Sequence, residues 1–89
     1  MNSNENWELR IDQRVYRELC KFPKKDATRI TNVLDDKSFD PYNGDIEKIK
    51  GEENTWRRRA GSYRIFYEIN QNERSVNVFW VERRISSTY

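Results

Sequence analysis

The chain has 89 residues, 17 Lys/Arg against 15 Asp/Glu for a net charge of +2, and as much charged (36%) as hydrophobic (35%) residue content. At this length there is material for one small core, which three Trp, five Tyr and four Phe make feasible by supplying large apolar area at few positions. Histidine is absent and cysteine occurs once, which excludes imidazole bases, Ser/His/Asp and Cys/His triads, an internal disulfide and a zinc ligand set. No run approaches the roughly 20 apolar residues of a membrane span, and MNSNENWELR has no apolar signal region, so the expected location is the cytoplasm, away from membranes.

Taken in chain order, residues 1 to 6 read as a flexible lead into a single domain covering 1–89. Trp7-Glu8-Leu9-Arg10-Ile11 alternates with period two and predicts a strand buried on one face. Asp12 stands where an N-cap belongs. From Asp12 to Phe22, residues Val15, Tyr16, Leu19, Cys20 and Phe22 fall near i, i+3/i+4 and i+7, an amphipathic helix that Pro23 ends and on whose stripe Cys20 is expected to be buried. A second helix is expected from Lys24 or Lys25 to Asp36, with Ala27, Ile30, Val33 and Leu34 as its stripe, making a helical hairpin with the first. A loop with Asp40, Pro41, Asn43 and Gly44 follows, anchored by Phe39 and Tyr42.

Beyond Gly44 the period changes to two. A short strand in which Ile46 and Ile49 flank Glu47-Lys48 and which ends at Lys50-Gly51, another from Trp56 to Ala60, a turn at Gly61-Ser62, and strands Tyr63 to Ile69 and Val76 to Val81 are predicted, the last two joined across Asn70 to Arg74, where Asn72 suits a positive φ. Apolar residues occupy both parities in the last two strands, so these are expected to be central. The order predicts an α+β domain: an antiparallel sheet, one face packed by the helical hairpin. Trp7, Trp56 and Trp80 read as core or sheet-face packing.

From Thr55 to Tyr67 there are four arginines (Arg57, Arg58, Arg59, Arg64) and no acid, interleaved with Trp56, Tyr63, Phe66 and Tyr67. Such interleaving is the footprint of a surface that meets phosphates and bases. Strand alternation sends Arg57 and Arg59 to one face, about 7 Å apart, and Arg58 to the other. With Arg64 across the turn and Arg83 past the last strand, four arginines are expected to converge on the helix-free face. The bland alternative is a set of solvated strand positions, ion-paired to Glu47, Glu52, Glu53, Glu68 and Glu82, which needs no function.

Lys48-Ile49-Lys50-Gly51, then Trp56-Arg57-Arg58-Arg59-Ala60-Gly61-Ser62-Tyr63-Arg64-Ile65-Phe66-Tyr67, then Arg83 followed six positions on by Tyr89, resembles the RelE toxins of prokaryotic toxin-antitoxin pairs over almost the whole chain. The resemblance implies a RelE-like fold and a toxin that cleaves messenger RNA on the ribosome and is masked by a cognate antitoxin protein. It places Arg57, Arg59, Arg64, Arg83 and Tyr89 at the catalytic site; Lys48, Lys50, Arg58 and Arg84 are the basic residues expected to bind RNA around it. It implies no metal and no small-molecule cofactor.

Chemistry without histidine is coherent, because RNA carries its own nucleophile in the 2′-OH and arginines stabilise a phosphorane-like transition state with fixed charge. Arginines are weak proton donors, leaving Lys48, Lys50 or a ribosomal group for the leaving 5′-oxygen. Tyr89, as base, needs a pKa lowered from about 10, which its own α-carboxylate in this sequence opposes; stacking on a base is the alternative role, and a functionless end the bland one. Two other functions fit the same features: a ParE-like inhibitor of DNA gyrase that cuts no RNA, and a non-enzymatic RNA-binding domain.

Overall fold

The computed structural model of the chain describes residues 7–35 and 40–83. The expectations for residues 1 to 6, Asp36, Phe39, Arg84 and Tyr89 lie outside these described residues. The elements run β1 (Glu8–Ile11), α1 (Gln13–Leu19), α2 (Lys24–Asp35), β2 (Ile46–Lys48), β3 (Thr55–Ala60), β4 (Tyr63–Asn70) and β5 (Ser75–Arg83). That is the predicted α+β order, with most boundaries within two residues of their predicted places. Among the described residues, no helix is long and apolar enough to cross a membrane.

Asp12 caps α1 as expected, its Oδ1 accepting the Arg14 N–H at 2.9 Å. The helix ends at Leu19, three residues before Phe22. The Lys21 and Phe22 N–H groups donate to the carbonyls of Glu18 and Leu19, three residues back, a tightened last turn forced by the following Pro23, which disfavours helical geometry at the residue before it. The expected burial of Cys20 is corrected, since it is exposed, and Tyr16 is 52% exposed. The helix buries Val15 and Leu19, four residues apart; Tyr16 and Cys20 each lie one residue, about 100° of turn, beyond them.

The five strands form one sheet in the order β1-β5-β4-β3-β2. It is antiparallel except at its first edge, where β1 runs parallel to β5; the expectation of an antiparallel sheet is corrected there. After β1 the chain passes through two helices before entering β2 at the opposite edge, so no hairpin dictates β1's direction. The core lies between the helices and one face of the sheet: Val15, Ile30, Ile65, Tyr67, Val76 and Val78 are each at most 1% exposed.

Two buried phenols tie connections to this core. Tyr63 Oη donates to Asp26 Oδ2 of α2 at 2.6 Å, and Tyr67 Oη donates to the Pro41 carbonyl at 2.5 Å. Pro41 is itself fully buried and anchors the loop, while Tyr42 stays 41% exposed with edge contacts to Trp7 and Trp56. At the β4–β5 turn, Arg74 and not Asn72 takes the positive φ, at 49°. The Asn70 side chain accepts the Glu73 N–H at 3.0 Å, which folds the turn so that its left-handed residue comes last.

One irregularity decides which side chains share a face. Phe66 pairs with Trp80 but Tyr67 pairs with Val78, a register shift that leaves Phe79 as an extra residue in β5. Such a bulge reverses the parity of everything after it. Val76 and Val78 point to the helices before the bulge and Val81 does so after it, all three fully buried. Trp80 and Glu82 therefore point away from the helices.

Candidate functional site

Register assigns each basic residue to a face. Arg57 pairs with Phe66 and Arg59 with Arg64, all on the side of the sheet that the helices leave open. Alternation along β3 and the Gly61 turn bring these three arginines together. Gly61 has a φ of +62°, a conformation that a side chain rarely adopts, and Arg29 Nη1 lies 3.1 Å from where a Cβ would stand.

Arg57, Arg59 and Arg64 line a small cleft of about 30 Å³ together with Asp45 and Glu47. Arg57 is ion-paired with Glu47, Arg59 Nε lies 3.5 Å from Asp45 Oδ2, and Arg64 Nη1 lies 3.4 Å from Glu82 Oε2. The stretch that lacks acids in sequence is thus supplied with carboxylates in space, from the β2 edge and from β5. Of the acids expected as partners, Glu47 and Glu82 take the role; Asp45, one residue before β2, was not foreseen. Its signal lay in the antiparallel pairing of β2 with β3, which aligns Glu47 with Arg57 and so brings Asp45, two residues earlier, opposite Arg59, whose N–H donates to the Asp45 carbonyl.

The remaining predicted residues are elsewhere. Arg83 does not join the cluster: it pairs with Tyr63, and its guanidinium lies over the Tyr63 ring at 5.9 Å, on the helix side. The bulge at Phe79 is the reason, because an uninterrupted β5 would have sent residue 83 to the open face. Arg58 also faces the helix side, aligned with Ile65, its guanidinium packed against Gly44 where a Cβ would come within 2.9 Å of Nε. Lys48 pairs with Trp56 and is exposed, as is Lys50 in the turn after β2. Arg84 and Tyr89 lie outside the described residues.

Neither buried tyrosine can stand in as a proton acceptor. Burial raises the Tyr63 phenol, and its hydrogen bond to Asp26 raises it further, against a smaller opposing effect of Arg83. Burial pushes the Tyr67 phenol up to about 12, with Arg58 opposing and Asp40 adding to the rise. At the cleft the acceptors are the carboxylates of Asp45, Glu47 and Glu82, and the arginines offer fixed positive charge with planar forks suited to phosphate oxygens. Among the described residues, no group of three or more Cys, Asp or Glu is placed to hold a metal ion.

A concavity of about 780 Å³ lies at the other end of the same face. Its lining includes Thr55, Glu68, Glu73, Asn77, Glu52 and Glu53, with Arg10. The open face therefore runs from an arginine cluster at the Gly61 end to a mainly acidic, amide-rich groove at the other. The first end offers guanidinium charge beside its paired carboxylates, and the second, mainly acidic, repels an anion.

No protein-family model matches the chain, and no curated protein does. Solved structures do. The chain is similar to the toxin-antitoxin complex RelBE2 from Mycobacterium tuberculosis, with 23% identity and a TM-score of 0.77 over 89% of this chain and 99% of that one. It is similar to an archaeal RelE–RelB complex from Pyrococcus horikoshii, at 21% identity and a TM-score of 0.70 over 92% and 99% of the two chains. A RelB–RelE complex from Methanococcus jannaschii shares 26% identity, with a TM-score of 0.69 over 84% and 89%.

Proposed function

We propose that this chain, whose fold is that of the RelE toxins, is the toxin of a type II toxin-antitoxin pair and an endoribonuclease that cuts messenger RNA on the ribosome. The observation that carries this is the convergence of Arg57, Arg59 and Arg64 about one cleft on the helix-free face. Cleavage by 2′-OH attack needs positive charge on a phosphate whose oxygens gain charge in the transition state, and this is what three forks at one cleft supply. Phosphate entry displaces Asp45, Glu47 and Glu82 from the arginines; as the 2′-oxygen bonds to phosphorus and the bond to the 5′-oxygen breaks, the 2′-OH proton passes to a base beside the cleft and the leaving 5′-oxygen takes a proton from Lys48, Lys50 or a ribosomal group. Tyr89 is the base that the family resemblance implies. The partners under this proposal are the ribosome with its messenger RNA and a cognate antitoxin protein; the structures of similar fold include RelE–RelB complexes. The cytoplasm is the compartment where these meet.

The test is primer extension on messenger RNA in a translating extract with purified protein. Wild type produces defined cuts, and Arg57→Ala or Arg64→Ala removes them while the circular dichroism spectrum is unchanged. Full cutting by both variants overturns the assignment. A non-cleaving toxin, such as a gyrase inhibitor, is favoured by two observations: all three arginines are already ion-paired, and Arg83 lies across the sheet. Inhibition of gyrase supercoiling with no RNA product supports that second function.

A further inference from the structure

Between the arginine cluster and the acidic groove, the open face carries three aromatic rings that the core does not use. Phe66 lies at the centre of β4, Trp80 is its partner on β5, and Phe79 is the bulge residue whose ring lies 6.3 Å from that of Phe66 at an interplanar angle of 45°. All three are partly exposed, and none belongs to the core cluster or to the partly buried residues packed against it. The bulge explains how two consecutive residues, Phe79 and Trp80, present rings near one another on one face. A regular strand would have buried one of them beneath the helices.

Phe66 sits directly across from Arg57 and two residues beyond Arg64 on the same strand face, about 7 Å along the sheet. Exposed aromatic rings, tilted against one another, one step from a cluster of phosphate-binding forks fit one ligand chemistry better than any other: single-stranded RNA, with phosphates on the arginines and bases on the rings. Charge complementarity sets the direction and the length. The strand is held at the Gly61 end and cannot continue past the rings, because Glu68 and Glu73 line the groove beyond them. We infer that Phe66, Phe79 and Trp80 form a base-stacking platform, so that the toxin holds the bases flanking the scissile phosphate and not the backbone alone. This rests on the endoribonuclease proposal for its place in the reaction, though not for RNA binding itself. It also reassigns Trp80, which sequence alone ascribed to packing.

Binding of the full-length protein to two fluorescent oligonucleotides of equal length, one oligouridine and one with abasic sites in place of bases, separates stacking from phosphate attraction. Stacking predicts that wild type prefers the base-bearing strand by roughly 5- to 150-fold for each stacked base. Phe66→Leu and Trp80→Leu, which stay apolar and lie outside the core, lose most of that preference and bind the abasic strand as wild type does. Arg57→Ala weakens both strands alike. Equal affinity of wild type for the two strands overturns the inference, as does a preference undiminished in both leucine variants. Binding of neither strand also overturns it and leaves the face to a protein partner. Messenger RNA cutting is scored separately in the translating extract: a base preference that persists in a wild-type protein that cuts nothing supports the platform and defeats only the nuclease proposal.

Discussion

Glu47→Gln keeps the size of the side chain and removes the charge that neutralises Arg57. The pair is open to solvent, with side-chain exposures of 31% for Arg57 and 67% for Glu47, so its contribution to stability falls in the range of exposed ion pairs, about 0–1 kcal/mol. For a domain of this length that is a fall in melting temperature of at most about 4–8 °C. The gain appears in binding. An arginine released from its carboxylate is available to one more phosphate, and each phosphate neutralised on a single strand adds about 0.7 to the slope of log affinity against log salt. Over a fourfold change in salt, one such contact alters affinity by roughly 2- to 3-fold. Titrations of single-stranded RNA at several salt concentrations should therefore give a steeper slope and tighter low-salt binding for Glu47→Gln, and a shallower slope for Arg57→Ala. An unchanged slope in the glutamine variant would show that Glu47 does not compete with the RNA for Arg57.

Three further outcomes concern the fold that holds the cleft. Tyr67→Phe leaves the buried Pro41 carbonyl without its 2.5 Å donor and should destabilise the chain by about 1–3 kcal/mol in urea unfolding. The Tyr67 phenol is raised in the folded state to about 12, above its ordinary value of about 10, so its contribution is complete below pH about 10 and is lost as pH rises through about 12; the phenylalanine variant should show a weaker alkaline loss over that window, and identical pH profiles would contradict the burial of that hydroxyl. Ile30→Ala removes a side chain with no exposure from the interface of α2 with the sheet and should cost about 2–5 kcal/mol. Cys20 is exposed, so a thiol reagent should label it in the native protein nearly as fast as in the unfolded chain, and protection from labelling would restore it to the core.

Local pattern carried most of the fold. Asp12 before an apolar stripe, Pro23 between two helical periods, and the change to period two after Gly44 each state a physical preference that tertiary packing did not override, which is why helices and strands lie close to their predicted places. Three features needed contacts distant in sequence. The parallel pairing of β1 with β5 is invisible to periodicity, because alternation reports a buried face and not a neighbour. The acids at the cleft come from residues 10 to 18 positions away from their arginines, as in Arg57 with Glu47 and Arg64 with Glu82, so a window free of acids in sequence did not predict an unpaired cluster. The left-handed turn residue fell on Arg74, which propensity does not favour, because the Asn70 side chain organised the turn.

The candidate site shows the same division more sharply. Alternation alone placed Arg57 and Arg59 on one face, and a two-residue turn placed Arg64 beside them; both rest on neighbours within a few residues. Arg83 depended on an unbroken count along β5, and the run Val76-Asn77-Val78-Phe79-Trp80-Val81 admits two counts. With apolar residues on both parities, a regular central strand and a bulged strand that buries Val76, Val78 and Val81 are equally compatible with the pattern. Only pairing with β4 decides between them, through Phe66 with Trp80 and Tyr67 with Val78. The choice exchanges more than one residue: it removes Arg83 from the arginine cluster, brings Glu82 to Arg64, and lifts Trp80 out of the core to lie beside Phe66. The inserted residue thus withdraws a positive charge from the open face and adds aromatic rings to it, so that the RNA recognition proposed above would rest less on phosphate and more on base.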